Sequence, residues 1–454
     1  MTDIPRKTAL GVLDQLMLKH HPHLDRIITD SVDNAGGDLP MRDRRLVNAL
    51  IFGVLRWRGN LDWIISRYSK TPLEKIRPEI LNILRMGLYQ AFFLDRIPDS
   101  AAVHTSVQMA KEIAPVWVAN YVNAVLRNAI RNRDALPFPS LEEDPALFLS
   151  ISKSFPLWLI RRWLQRFGIE ETALLCDAYN AIPPITIRAN TLQTDRNTLC
   201  DALNSNADAV FQTPYSPDGL FFTGAKQSIQ EFDAFKKGLF QVQDEAAQLI
   251  TFFLSPQPGE RVLDACAGLG GKTGHIAQLM KNSGEIIAAD SDGDKLSRLN
   301  MAMQRLGIRN VFTQICDFTR PAMDASLGLF DRILLDAPCS GLGVVRRNPD
   351  IKWDSGRKDL TRFRKKQLAL LRQVSGLVKP GGMLVYAVCS VEPEENESVI
   401  NDFLSSIHDF QVQKTPSGLP FPLTPFMDAH GFIRTFPHIH GMDGFFSVCL
   451  RKMR

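Results

Sequence analysis

The sequence has no long apolar run, no paired cysteines, no internal repeat and little net charge. No stretch approaches the roughly 18 apolar residues that a membrane span needs, so no membrane association is expected. The opening "MTDIPRKTAL" lacks the apolar core of a secretory signal, and a cytoplasmic location is the expectation. Seven cysteines stand at 176, 200, 266, 316, 339, 389 and 449, none in a C-x-x-C pair. Neither a zinc knuckle nor a disulfide framework is suggested, and reduced thiols suit the cytosol. His20, His21 and His23 cluster without a cysteine nearby and at unsuitable spacing, so no metal is expected.

The net charge is only +4. Its distribution is uneven: residues 1–140 hold 19 Lys and Arg against 14 Asp and Glu. That surplus permits contact with nucleic-acid phosphates. Arg42, Arg44, Arg45, Arg56 and Arg58 are the candidates, with a solvated helix face as the plain alternative.

At 454 residues, 45% of them hydrophobic, the chain is long enough for two or three folded domains. Residues 1–138 read as helices. "RRLVNALIFGVLRW" and "PEILNILRMGLYQAFFL" carry helical apolar periodicity, Pro78 suits a helix start, and Ser100 is placed to cap "AAVHTSVQMAKEI". Helices without intervening strands predict a bundle. "DALPFPSLEEDP" reads as a linker. Residues 139–238 are mixed, with a helix in "PLWLIRRWLQRFG" and a strand in "PITIRANTL". Over 239–454 strands and helices alternate, which predicts a mainly parallel sheet covered on both faces. Its units are "RVLDACAGLGGKT", "GEIIAAD", "KLSRLNMAMQRLG", "FDRILLDAPCSG", a helix over 368–382 stopped by Pro and Gly, the strand "MLVYAVCS", and a Pro-Glu-Glu cluster that is expected to start the next helix.

The glycine loop of 264–273 fits neither familiar phosphate motif. A phosphate loop needs glycine where Cys266 stands, and Gly268, Gly270 and Gly271 are too close together for the dinucleotide fingerprint. What remains is a strand ending in Asp264, a tight turn and a helix N-terminus that favours a carboxylate. Asp290 ends the next strand, where a carboxylate can accept the hydroxyls of a ribose, and Asp317 follows near an adenine edge. The set suits S-adenosylmethionine; a Rossmann-like fold with surface carboxylates is the alternative reading.

Asp336 and Cys339 leave one strand, and Cys389 leaves the next. A free cysteine is most often a small core residue. Two at neighbouring strand exits, beside a carboxylate and a methyl donor, suggest more. Carbon 5 of a pyrimidine is a poor nucleophile until a thiolate adds to carbon 6, and a proton or hydrogen bond at N3 eases that addition, with Asp336 the candidate.

"DACAGLGGKT", "LLDAPCSGLG", "RRNPDIKW" and "YAVCSVEPEEN" resemble the RNA cytosine-5 methyltransferases, as do "GLFQVQDEAAQ" and "PHIHGMDGFFSVCLRK". The helical front, with "NAVLRNAI", resembles the RNA-binding antitermination factor NusB. Together they are similar to the RsmB family of small-subunit ribosomal RNA methyltransferases over nearly the whole chain. The resemblance implies a NusB-like bundle over 1–138, an RNA-contacting connecting piece over 139–238, and a Rossmann-like class I S-adenosylmethionine-dependent domain over 239–454. It implies Cys389 as nucleophile and Cys339 in release of the methylated base. It implies a cofactor loop of Cys266, Ala267, Gly268, Leu269, Gly270, Gly271 and Lys272, with Asp290 on the ribose, Asp317 near the adenine, and Asp336 between methionine and base. The implied substrate is one cytosine of 16S rRNA, position 967 in the usual numbering, and a monomer is expected. DNA cytosine-5 methyltransferases use a Pro-Cys nucleophile, which would favour Cys339 instead. A non-catalytic assembly or antitermination factor that keeps the fold is the alternative from another class. Two positions depart from the family pattern: Gly268-Leu269 replaces Ala-Pro, and Val388 replaces the threonine before the nucleophile.

Overall fold

A computed structural model describes residues 3–18, 24–34, 39–320, 327–414 and 418–453. His20, His21 and His23 lie outside them. Among the described residues no group of three or more His, Cys, Asp or Glu is placed to hold a metal ion. No helix among them is long and apolar enough to cross a membrane. The chain forms two compact units. One comprises Met1–Ala181 with Val345–Asp354, and the other Ile182–Val344 with Ser355–Arg454.

The first unit is built from α1 (Ile4–Gln15), α2 (Leu24–Asn34), α3 (Met41–Tyr68), α4 (Pro78–Phe93), α5 (Asp99–Ile113), α6 (Val116–Arg131), α7 (Pro145–Ser152) and α8 (Leu157–Asn180). Pro78 occupies the first turn of α4, where its missing N–H costs nothing. Helix α4 is buried almost throughout, from Ile80 to Ala91, and forms the axis of the bundle. Its polar residues are paired inside: Arg85 makes a two-pronged ion pair with Asp62, 2.7 and 2.8 Å, and Asn82 donates to Asp14 at 2.7 Å. The expected Ser100 cap is not formed. Helix α5 begins two residues earlier than that cap requires, at Asp99, with Pro98 at the cap and no side-chain cap bond. Proline fixes the extended-to-helical transition at 98, so Ser100 falls inside the first turn.

The second unit carries two sheets. The smaller contains β1 (Ile185–Ala189), β2 (Ala209–Gln212), β3 (Gly219–Thr223) and β4 (Phe240–Val242), antiparallel in the order β2-β3-β1-β4. Helices α9 (Arg196–Leu203) and α10 (Asp233–Lys236) accompany it. The larger begins after α11 (Glu245–Leu254) and runs β5 (Arg261–Asp264), α12 (Gly271–Leu279), β6 (Glu285–Asp290), α13 (Gly293–Leu306), β7 (Val311–Ile315) and β8 (Phe330–Asp336). The short α14 (Ile351–Asp354) lies in the stretch that belongs to the first unit. Then follow α15 (Arg357–Ser375), β9 (Val378–Val388), α16 (Glu397–Ser406), β10 (Phe410–Val412), β11 (Phe432–Thr435), α17 (Pro437–His440) and β12 (Phe445–Lys452).

The large sheet has eight strands in the order β10-β12-β9-β8-β5-β6-β7, with β11 on β12. Strands β7, β6, β5, β8 and β9 are parallel, and the β12 side is antiparallel. Two apolar cores sandwich it, one on each face. Leu296, Leu299, Met303 and Leu306 are the buried stripe of α13, as their spacing predicts.

Two boundaries differ from expectation. The helix expected over 368–382 ends at Ser375, and Lys379-Pro380-Gly381-Gly382 belongs to β9. The pairing of β8 with β9 shifts register there, and such an irregularity tolerates Pro and Gly. The Pro-Glu-Glu cluster after Cys389 is a hydrogen-bonded turn, not a helix start. Glu395 and Asn396 donate backbone N–H groups to the carbonyls of Glu392 and Pro393, and α16 begins only at Glu397.

Candidate active site

Because β5, β6, β8 and β9 are parallel, their carboxyl ends open on one edge of the sheet, where ligands bind in such folds. Asp264, Asp290, Asp336 and Val388 end these four strands. The glycine loop leaves β5 and enters α12 through Gly270, whose φ of +81° is left-handed. A Cβ at 270 would also stand 2.6 Å from Leu299, so only glycine fits. The buried Arg188 of β1 supports the start of α12, donating to the Gly271 carbonyl at 2.9 Å, to Gln278 at 2.8 Å and to Gln243.

The cofactor-site candidates gather here. Cys266, Ala267, Gly268, Leu269, Gly270, Gly271 and Lys272 form the loop and the first residues of α12, with Leu269 exposed. Asp290 holds the loop, accepting the Gly268 N–H at 3.0 Å and the Asp292 N–H at 3.0 Å. The Cys316 N–H donates to the Asp290 carbonyl, so Asp317 follows directly beside β6. Asp317 accepts from the Thr319 N–H at 3.0 Å and hydroxyl at 2.6 Å, and those bonds hold its carboxyl below the usual range. Burial, with Asp290, Asp264 and Asp336 nearby, pushes the Cys266 thiol far up, which disqualifies it as a nucleophile. Asp264 is buried, accepts the Thr273 hydroxyl at 2.7 Å and is pushed up by burial to about 7.

Lys272 reaches from α12 to the end of β8, its ammonium 2.5 Å from the Asp336 carboxylate and 5.3 Å from the Phe445 ring centre. Burial opposes its charge. Asp336 more than offsets that, with smaller help from Cys389 and Asp264, so the ammonium's pKa lies above its ordinary value.

The thiols of Cys339 and Cys389 meet at 3.3 Å. The hydrogen bond to Cys389 and then burial raise Cys339 well above the ordinary thiol range. The backbone fixes their loops: the Gly343 N–H donates to the Cys389 carbonyl at 2.9 Å, and the Gly444 N–H to the Gly343 carbonyl at 2.8 Å.

One of the arginine candidates is not where the sequence suggests. Arg56 is buried and donates to the Arg346 carbonyl at 2.9 Å, so it is no phosphate contact. The indole of Trp353 donates to the Leu55 carbonyl at 2.6 Å, within the helical unit. Lys352, from the same motif, is buried there beneath Phe155 and donates to the Arg56 carbonyl at 2.8 Å. Val388 raises no difficulty at the thiol. Val385, Ala387 and Cys389 pack into one core, whereas Leu384, Tyr386 and Val388 pack into the other. A side chain at 388 therefore points away from the face that carries Cys389.

Sequence reasoning missed Glu395, which is buried against both cysteine loops. One signal was available: each cysteine is followed by serine, in "PCSG" and "VCSV".

Family models match in three parts: the NusB family over 3–131, a ferredoxin-like domain of RsmF/B-like methyltransferases over 155–229, and the 16S rRNA methyltransferase RsmB/F over 251–451. A probable ribosomal RNA small subunit methyltransferase B from Bacillus subtilis is 35% identical over 98% of this chain and 98% of its own. The chain belongs to the RsmB/F family of 16S rRNA methyltransferases. A ribosomal RNA small subunit methyltransferase B from Klebsiella pneumoniae is 34% identical over 91% of each chain. The crystal structure of the protein PH0851 superposes with a TM-score of 0.82 at 26% identity, covering 100% of this chain and 99% of the other. As an RsmB/F member, the chain is a methyltransferase acting on ribosomal RNA. The non-catalytic alternative has no observation on its side.

Proposed function

We propose that this enzyme methylates carbon 5 of one cytosine in 16S rRNA, the position 967 that the resemblance implies, through a covalent bond between Cys389 and carbon 6. The observation that carries the proposal is the meeting of the Cys339 and Cys389 thiols at 3.3 Å, at the ends of two adjacent parallel strands beside Asp336. A single catalytic thiol would need no second one in contact with it.

The donor set fits S-adenosylmethionine. Asp290 ends β6, where a carboxylate can accept ribose hydroxyls, Asp317 lies just beyond the end of the next strand, and a Cβ at Gly268 would meet only open space. Bound there, the cofactor would supply an electrophilic methyl group. The chain's own residues do the rest. The Cys389 thiolate forms the S–C6 bond while N3 takes a proton that passes from the Lys272 ammonium through the Asp336 carboxylate it faces, leaving carbon 5 enamine-like. Lys272, held charged, is the acid beside Asp336. After methyl transfer a base takes the carbon 5 proton, the S–C6 bond breaks with its electrons returning to Cys389, and N3 gives its proton back to the Asp336–Lys272 pair. Cys339, kept protonated by its environment, is suited to assist this release and not to compete as nucleophile.

The helical unit binds RNA in this reading, and the chain acts as a cytoplasmic monomer without a metal. The test is transfer of labelled methyl to 16S rRNA followed by bisulfite sequencing. Cys389→Ala abolishes transfer, and Cys339→Ala accumulates an RNA–protein adduct. Full turnover by Cys389→Ala would sink the assignment.

A further inference from the structure

Cys339 precedes Ser340, and Cys389 precedes Ser390. One buried carboxylate collects both serines. Glu395 accepts the Ser340 N–H at 2.8 Å and the Gln367 amide at 3.1 Å on one oxygen. On the other it accepts the Ser340 hydroxyl at 2.5 Å and the Ser390 hydroxyl at 2.5 Å. The two hydroxyls lie 3.4 Å apart. Gln367 also donates to the Pro338 carbonyl at 3.1 Å, so α15 joins the same cluster. The Glu395 carbonyl accepts the Tyr386 hydroxyl at 2.7 Å, and Asn396 donates to the Ser390 carbonyl at 3.3 Å. Glu395, Ser390, Ser340, Gln367, Tyr386 and Asn396 are all buried.

A carboxylate is placed in such surroundings only at a large desolvation cost, which four donors offset here. Those donors are not scattered. Three come from the residues that immediately follow the two cysteines, so any displacement of the carboxylate moves both thiols relative to each other. We infer that Glu395 is a positioning residue that clamps the two cysteine-bearing loops together, setting the approach of Cys389 and Cys339 to one base. The inference rests on the covalent reading above and adds the element that gives the two thiols a common register. Alanine at 395 leaves two serine hydroxyls and a backbone N–H without their acceptor inside the protein. The loops then separate, and reacting groups displaced by about 1 Å lose on the order of 100-fold in rate. Glutamine rebuilds most of the cluster, because serine hydroxyls can turn to accept from its amide.

The experiment compares Glu395→Ala, Glu395→Gln and Ser390→Ala with wild type. It measures S-adenosylmethionine affinity, single-turnover methyl transfer, KM for RNA and adduct formation in the Cys339→Ala background. Glu395→Ala is expected to bind S-adenosylmethionine within about twofold of wild type while transfer and adduct formation fall about 100-fold. Glu395→Gln is expected to recover about a tenth of wild-type rate or more, with KM nearly unchanged in both. Ser390→Ala, a smaller change that serves if Glu395→Ala does not fold, is expected to slow transfer about tenfold at a similar melting temperature. Near-wild-type transfer by Glu395→Ala or by Ser390→Ala overturns the clamp. So does a fall in cofactor affinity that accounts for the whole loss of rate. If Cys389→Ala is dead while these variants turn over normally, only the clamp fails; if Cys389→Ala is active, the covalent reading fails with it.

Discussion

The Lys272 ammonium and the Asp336 carboxylate face each other at 2.5 Å, from the first turn of α12 and the last residue of β8. The pair joins the cofactor loop to the strand that precedes Cys339. Asp336→Asn is expected to slow single-turnover methyl transfer by about 10²- to 10⁴-fold, the range for loss of a positioned acid. Because the two groups act on each other, the double variant with Lys272→Met should be little slower than Asp336→Asn alone. Additive losses in that double-mutant cycle would show that they act independently.

Val388→Thr restores the residue that the family pattern leads one to expect. Since the side chain points into the core opposite Cys389, the variant is expected to transfer methyl groups within about twofold of wild type. It should lose stability by about 1–3 kcal/mol, the cost of burying a hydroxyl without a good partner. Urea unfolding alongside the transfer assay checks both; a large gain in rate would place the hydroxyl at the thiol after all.

Gly343→Ala should fail for a steric reason. A Cβ there would stand 1.9 Å from the Gly444 carbonyl oxygen and 2.9 Å from the Cys389 carbonyl carbon, both backbone atoms that cannot swing aside. The expected result is a destabilisation of about 1–3 kcal/mol with loss of transfer, read by thermal melting and by the assay. An unchanged melt and rate would mean the two loops are slack.

His275 gives the fold an acid sensitivity. The ring is buried edge-on against Phe252, and both its nitrogens lack a hydrogen-bond partner. Burial first, then Arg188, depress its pKa from 6.5 to about 4, so the Asp218 carboxylate 3.8 Å away does not make an ion pair with it at neutral pH. Between those values the unfolded chain binds the proton and the folded chain does not. Stability from this group is therefore intact above pH 6.5 and is lost as pH falls toward about 4, on the order of 3 kcal/mol in all. His275→Leu should flatten the denaturation free energy across that window. An unaltered pH slope would assign the acid sensitivity to other groups.

Much of the catalytic unit was legible because its signals are local. Strand runs ending in Asp264, Asp290 and Asp336, the stripe on α13, and the two cysteines at strand exits all follow from short-range pattern. What escaped depends on partners far away in the chain. Nothing in "EPEEN" separates Glu395 from Glu392 and Glu394; only its closeness to Ser340, 55 residues away, does so. Arg56 reads as a surface cation until Arg346, 290 residues distant, occupies it. "KPGG" reads as a helix stop, and it is one only indirectly, because those residues are already committed to the irregular start of β9.

The excursion of Val345–Asp354 makes the helical unit a two-piece construction, closed by ten residues borrowed from the middle of the catalytic sequence. Scission at 181 would not release two self-sufficient halves. The front fragment would lose Lys352 and Trp353 from against α3 and Phe155, and the back fragment would carry that buried cation and the half-buried indole with nothing to cover them. A gene that once joined two domains end to end would be easy to separate again; this one is sutured through its own catalytic stretch.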